Sequence, residues 1–150
     1  MRRFRGTLVK SPVELIVGTV RLFHMPLRDT ELLARVGRRL GQDLFDPPNV
    51  KGWPGGNAWI TASTLLARQQ FLQRLLRGQD MVAEVSKERP MGSMPGGKWP
   101  AWLHGSASGP GWEKITRMLL ALKPVYSLPE ATEAHYRVQQ LILDPVYQLQ

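Results

Sequence analysis

The sequence predicts an all-α protein. Apolar residues recur at helical spacing over several segments, and Ser-Pro-x-Glu and Gly punctuate those segments as helix starts and stops. No stretch alternates apolar and polar residues as a half-buried strand does. The expected architecture is an irregular bundle of about five short helices with a long Pro/Gly/Trp-containing loop, over residues 1–150 as one helical module.

Ser11-Pro12-Val13-Glu14 opens the first helix, with Ser at the N-cap, Pro at N1 and Glu at N3 of a capping box. It runs to about His24, carries Leu15, Ile16, Val20 and Phe23 on one face, and cannot pass far beyond it because of Pro26. Asp29 or Thr30 caps a second helix through Leu40, with Leu32, Leu33, Val36 and Leu40 inward and Gly41 at C′. The short connection predicts packed, antiparallel neighbours. A third helix begins at Thr61 or Ala62 and reaches Arg77, with Leu65, Leu66, Phe71, Leu72, Leu75 and Leu76 as its apolar stripe. Gly78 ends it. Residues 79–111 read as an irregular Gly/Pro-rich insert. Glu113–Leu122 is a fourth helix with Ile115, Met118, Leu119 and Leu122 inward. Ser127 or Pro129 opens a fifth, through about Leu143, with Tyr136, Leu141 and Leu143 as core candidates. Asp144-Pro145 stops it, and Val146 to Gln150 adds a last turn.

The chain has 150 residues, 43% of them hydrophobic, and no apolar run long enough to span a membrane. Its net charge of +8 permits nucleic acid, anionic lipid or acidic glycans as partners without demanding any. The basic residues, among them Lys10, Arg21, Arg35, Arg38, Arg39 and Arg68, are dispersed and lack a nucleic-acid motif, so solvated helix faces are expected and nucleic acid is not favoured. With no cysteine, disulfides, thiol nucleophiles and Cys-ligated zinc are excluded. Lys10, Pro12 and Glu14 interrupt what would be the apolar core of a signal peptide, so none is recognised.

The densest motif lies between the second and third helices: Asp46-Pro47-Pro48-Asn49 followed by Lys51-Gly52-Trp53-Pro54-Gly55-Gly56 and Trp59. Paired prolines fix φ and push Asp46 and Pro47 into extended conformations, while Gly55-Gly56 frees the backbone for a tight turn. Such a loop is specified residue by residue. It either shapes a site or locks two helices together.

No constellation identifies a reaction. His24, His104 and His135 have no spacing that puts two ligands on one helix face, and no metal or cofactor is expected. Asp43 and Asp46 are a possible acid–base pair, though carboxylates so placed more often cap turns. Trp53 and Trp59 are expected to wedge the loop against the helices. Trp99 and Trp102, with His104 near them, are candidates for stacking on a ligand such as a polysaccharide.

The chain resembles the C-terminal part of a bacterial family known as domain of unknown function 1800. Lys10-Ser11-Pro12-Val13-Glu14 with Val17-Gly18-Thr19 and Arg21 carries the resemblance first. The most specific part is Gly41-Gln42, Leu44-Phe45, Pro47 to Gly56, Trp59-Ile60 and Thr64 to Arg68. The ending, Leu141 to Leu143 and Pro145 to Leu149, is the third, with Asp144 and Val146 where the family usually has Ser and Glu. The resemblance implies a largely helical, exported protein with no established reaction, and a partner among exported sulfatase/phosphatase-like proteins encoded nearby. The function expected is a non-catalytic scaffold or partner-binding module. The alternatives are part of a hydrolase whose site, lined by Asp46, Asn49, Lys51 and His104, is completed by an N-terminal region, and carbohydrate binding through exposed Trp residues.

Overall fold

A computed structural model describes residues 6, 8–24, 30–77, 110–127 and 134–150. It divides into two compact units: Lys10–Lys98, and Met1–Val9 together with Trp99–Gln150. Five α-helices, two short 3-10 turns and one isolated antiparallel bridge make up the regular structure of the described residues, so the all-α class holds.

In the unit Lys10–Lys98, α1 (Pro12–Leu22) begins as the sequence dictates. Ser11 Oγ accepts from Glu14 N at 3.3 Å, and Glu14 Oε2 accepts from Ser11 N at 2.7 Å, satisfying two amides that a helix start leaves orphaned. The helix ends at Leu22, two residues before exposed His24, whose φ of +49° turns the chain away.

Helix α2 (Thr30–Arg39) packs against α1 and buries Leu32 and Val36, with Leu40 buried just beyond it; Leu33 is only half-buried. Its end is a Schellman motif. Gly41 N donates to Arg38 O at 3.0 Å and Gln42 N to Gly37 O at 2.8 Å, and Gly41 takes φ +96°, where a side chain would be strained. Gln42 Oε1 then accepts from Val13 N at 3.1 Å, tying the end of α2 to the first turn of α1.

Helix α3 (Ala62–Arg77) packs against α2. At its start Thr61 N donates to Thr64 Oγ1 at 2.8 Å and Thr64 N to Thr61 Oγ1 at 3.2 Å, a reciprocal cap built from two threonines. Phe71, Leu72, Leu75 and Leu76 are buried as expected. Leu65 and Leu66 are exposed, correcting their assignment to the core: the buried stripe starts at Arg68, and these leucines lie one turn before it.

In the other unit, α4 (Pro110–Leu119) packs against α5 (Ala134–Leu143), and α5 against a 3-10 turn, Pro145–Gln148. Ile115, Leu119, Leu120, Val138, Leu141, Ile142, Val146 and Tyr147 are buried. Helix α4 starts inside the segment expected to be irregular, because Pro110 suits a first turn. It stops short of Leu122, whose side chain is exposed, as are those of Met118 and Tyr136; Leu143 is half-buried. The expected start of the fifth helix, after Ser127 or at Pro129, falls on residues 128–133, which lie outside the described residues.

Buried Asp144 organises this unit. Its carboxylate accepts from Val125 N at 2.9 Å, Tyr126 N at 3.1 Å and Val146 N at 2.9 Å, capping the 3-10 turn while holding the segment after α4. Arg137, also buried, lies 4.0 Å from the Trp112 ring centroid in a cation–π contact. The ends of the chain pair: Gly6 N donates to Gln150 O at 2.7 Å and Gln150 N to Leu8 O at 2.9 Å, flanking the Val9–Leu149 bridge.

Candidate functional site

The chain between α2 and α3 is held by local bonds at each turn. Arg38 Nε pairs with the Asp43 carboxylate, and Asp46 N donates to Asp43 O at 3.2 Å. The Asp43 hydrogen bond and charge, with that of Asp46, hold the Arg38 guanidinium above its ordinary range. Asn49 makes an Asx turn, its Oδ1 accepting from Lys51 N at 2.8 Å, while Gly52 N donates to Asn49 O at 2.9 Å. Positive φ falls at Gly52 (+85°) and Gly56 (+58°), whereas Gly55, expected to share the turn, is extended at −114°. The 3-10 turn Gly56–Trp59 leads into α3, and Trp59 O accepts from Thr64 Oγ1 at 2.9 Å.

These bonds hold a loop whose side chains face water. Phe45 is 94% exposed and Val50 fully so; Leu44, Asp46, Pro47, Pro48, Asn49, Lys51, Pro54 and Gly55 are exposed as well. Gly52, Trp53 and Gly56 are half-buried, and Trp59 is buried. Of the two tryptophans expected to wedge the loop, Trp59 is the more deeply buried. The Trp53 indole N–H is buried with no hydrogen-bond partner.

Asp43 acts as a turn and ion-pair residue, and Asn49 spends its side-chain oxygen on the loop backbone. Asp46 and Lys51 share the exposed loop. His104, Trp99 and Trp102 lie outside the described residues, as does most of the 79–111 insert; His24 is exposed and His135 half-buried. Among the described residues no group of three or more His, Cys, Asp or Glu side chains can hold a metal ion, and no helix is long and apolar enough to cross a membrane.

Sequence reasoning missed the buried cations. Solvated faces hold for Arg21, Arg35, Arg38 and Arg39 but fail at Arg68 and Arg137. Arg68 is 0% exposed, and its Nη2 donates to Lys10 O at 2.9 Å, fastening α3 to the residue before the α1 cap. Burial pushes the Arg68 guanidinium down. It lowers the half-buried Lys10 amine to about 8, with Glu14 opposing the shift. The signal was the position of Arg68, three and four residues before Phe71 and Leu72 on the apolar stripe.

A family model described as a protein of unknown function, DUF1800, matches residues 1–147. No curated protein and no solved structure matches the chain.

Proposed function

The chain belongs to the DUF1800 family, and from that premise we propose that it is a non-catalytic helical scaffold whose Leu44–Lys51 loop is the contact surface for a partner. The observation that carries the reading is exposed apolar side chains on a backbone pinned at every turn. Leaving Phe45 in water forgoes roughly 2 kcal/mol that burial would supply. Fixing the loop beforehand lowers the ordering cost of binding. The family resemblance extends the reading to the C-terminal portion of an exported bacterial protein, with a sulfatase/phosphatase-like protein encoded nearby as candidate partner.

The test is a Phe45→Ser/Val50→Ser double variant. Its melting temperature should stay within about 2 °C of the parent, as for surface changes. Binding to the purified phosphatase-like protein, measured by calorimetry, should weaken at least about tenfold, a loss of ~1.4 kcal/mol. Unfolding of the variant would make the loop a structural keystone and overturn the contact reading. Parent and variant binding equally would remove this loop from that contact.

A further inference from the structure

An aspartate precedes a proline twice in the chain, at Asp46-Pro47 and at Asp144-Pro145. Such a bond differs chemically from other aspartyl bonds. Proline has no amide N–H, so its nitrogen cannot close on the aspartate side chain to form a succinimide. The route left open runs the other way, with the carboxylate closing on its own backbone carbonyl to form a cyclic anhydride. Nucleophile and carbonyl belong to one residue, which gives the step a high effective concentration.

The fold treats the two bonds oppositely. Asp144 is 2% exposed, and both carboxylate oxygens are engaged, one by Val146 N at 2.9 Å and the other by Val125 N at 2.9 Å and Tyr126 N at 3.1 Å. Attack there must first break hydrogen bonds to a charged acceptor and admit water to a buried site. Asp46, Pro47 and Pro48 are exposed. The Asp46 N–H donates to Asp43 O at 3.2 Å, which holds the backbone, while Asp43 takes the ion pair with Arg38. Among the described residues no hydrogen bond ties up the Asp46 carboxylate.

We propose that the Asp46–Pro47 bond is a self-cleavage site. A carboxylate oxygen of Asp46 bonds to the Asp46 backbone carbonyl carbon as the bond from that carbon to the Pro47 nitrogen breaks, and the nitrogen takes a proton from the medium. One water then opens the anhydride, leaving Asp46 as a free carboxyl terminus and Pro47 as a free amino terminus. Helix α2 lies before the cut and α3 after it, and the two pack together, so the pieces stay associated until denatured. The cut divides exposed Leu44 and Phe45 from exposed Val50 and Lys51. No partner enters either step, so cleavage stands or falls apart from the loop's role as a contact surface.

The experiment is incubation of the full chain with protease inhibitors at about pH 4, where ordinary aspartates are part ionised, with masses read after denaturation. Pieces 1–46 and 47–150 should appear at a rate independent of chain concentration, as an intramolecular step requires. Cleavage after Asp144 should be at least about tenfold slower, the equivalent (~1.4 kcal/mol) of breaking one hydrogen bond to a charged acceptor. In urea that unfolds the chain, the two bonds should break at similar rates. Asp46→Asn should slow cleavage at position 46 at least about a hundredfold, the low end for a positioned catalytic group. Three results overturn the proposal: a folded chain left whole while the urea-unfolded chain is cut, equal cleavage of both bonds in the folded chain, or unchanged cleavage of Asp46→Asn.

Discussion

Asp144→Asn is the substitution whose cost follows most directly from geometry. One oxygen of the buried carboxylate takes Val146 N at 2.9 Å, and the other takes Val125 N at 2.9 Å and Tyr126 N at 3.1 Å. An amide keeps one oxygen. Its NH2 must then face either the Val146 N–H or the Val125 and Tyr126 N–H pair, donor against donor. Hydrogen bonds to a charged acceptor contribute about 1.5–3 kcal/mol each, and a stranded buried donor costs about 1–3 kcal/mol. Part of the loss is recovered because Val125 and Tyr126 are exposed enough for water to reach their amides. A net cost of about 3 kcal/mol remains, equivalent to roughly 6–12 °C of melting temperature for a chain of this size. Thermal melts followed by far-UV circular dichroism and tryptophan emission measure it, with Trp112 reporting on the same unit. A variant melting within about 2 °C of the parent would refute the claim that this carboxylate holds the unit together.

Lys10 makes stability depend on pH. Its amine titrates at about 8 in the folded chain against 10.5 when free, so between those values the unfolded chain binds more protons and stability rises with pH. The full shift is worth roughly 3 kcal/mol, reduced to about 2 kcal/mol by solvent reaching the half-buried amine. Lys10→Met should be more stable than the parent at pH 7 by that amount and lose the rise between pH 8 and 10.5; urea midpoints across this range check both. Arg68→Ala removes a wholly buried side chain and its bond to Lys10 O, and should lower the urea-derived stability by about 3 kcal/mol. Gly41→Ala forces a side chain to φ +96° and should cost about 1–2 kcal/mol, whereas Gly55→Ala, at φ −114° with open space around it, should change stability by less than about 0.5 kcal/mol. Equal melting temperatures for the two glycine variants would refute that distinction.

Features closed by residues close in sequence were legible before the structure. The Ser11/Glu14 capping box, the Gly41 stop of α2, the span of α3 and the turn after Asp144 each depend on chemistry within a few positions. The failures share a cause. Helical periodicity says which residues share a face, not how far a neighbouring element covers it, so Leu65, Leu66, Met118 and Tyr136 were assigned to a core they do not reach. Arg68 was misread because its charge suggested solvent while its register placed it on the buried stripe. In the loop, the stiffness of Pro47-Pro48 and the need for a glycine turn were readable. The outward direction of Phe45 and Val50 was not, since the composition of a loop carries no periodicity from which to infer a face.

The pairing of Val9 with Leu149 also has a consequence for the order in which the protein is made. It joins positions about 140 residues apart, and closing so long a loop from an unstructured chain costs on the order of 4 kcal/mol in entropy. Residues of the Lys10–Lys98 unit are complete while the remainder is still being synthesised, and its folding shortens the free chain left to close. The other unit needs its first strand-like residues held in waiting until positions 149 and 150 leave the ribosome. Of the two units it is therefore the later to form during vectorial synthesis.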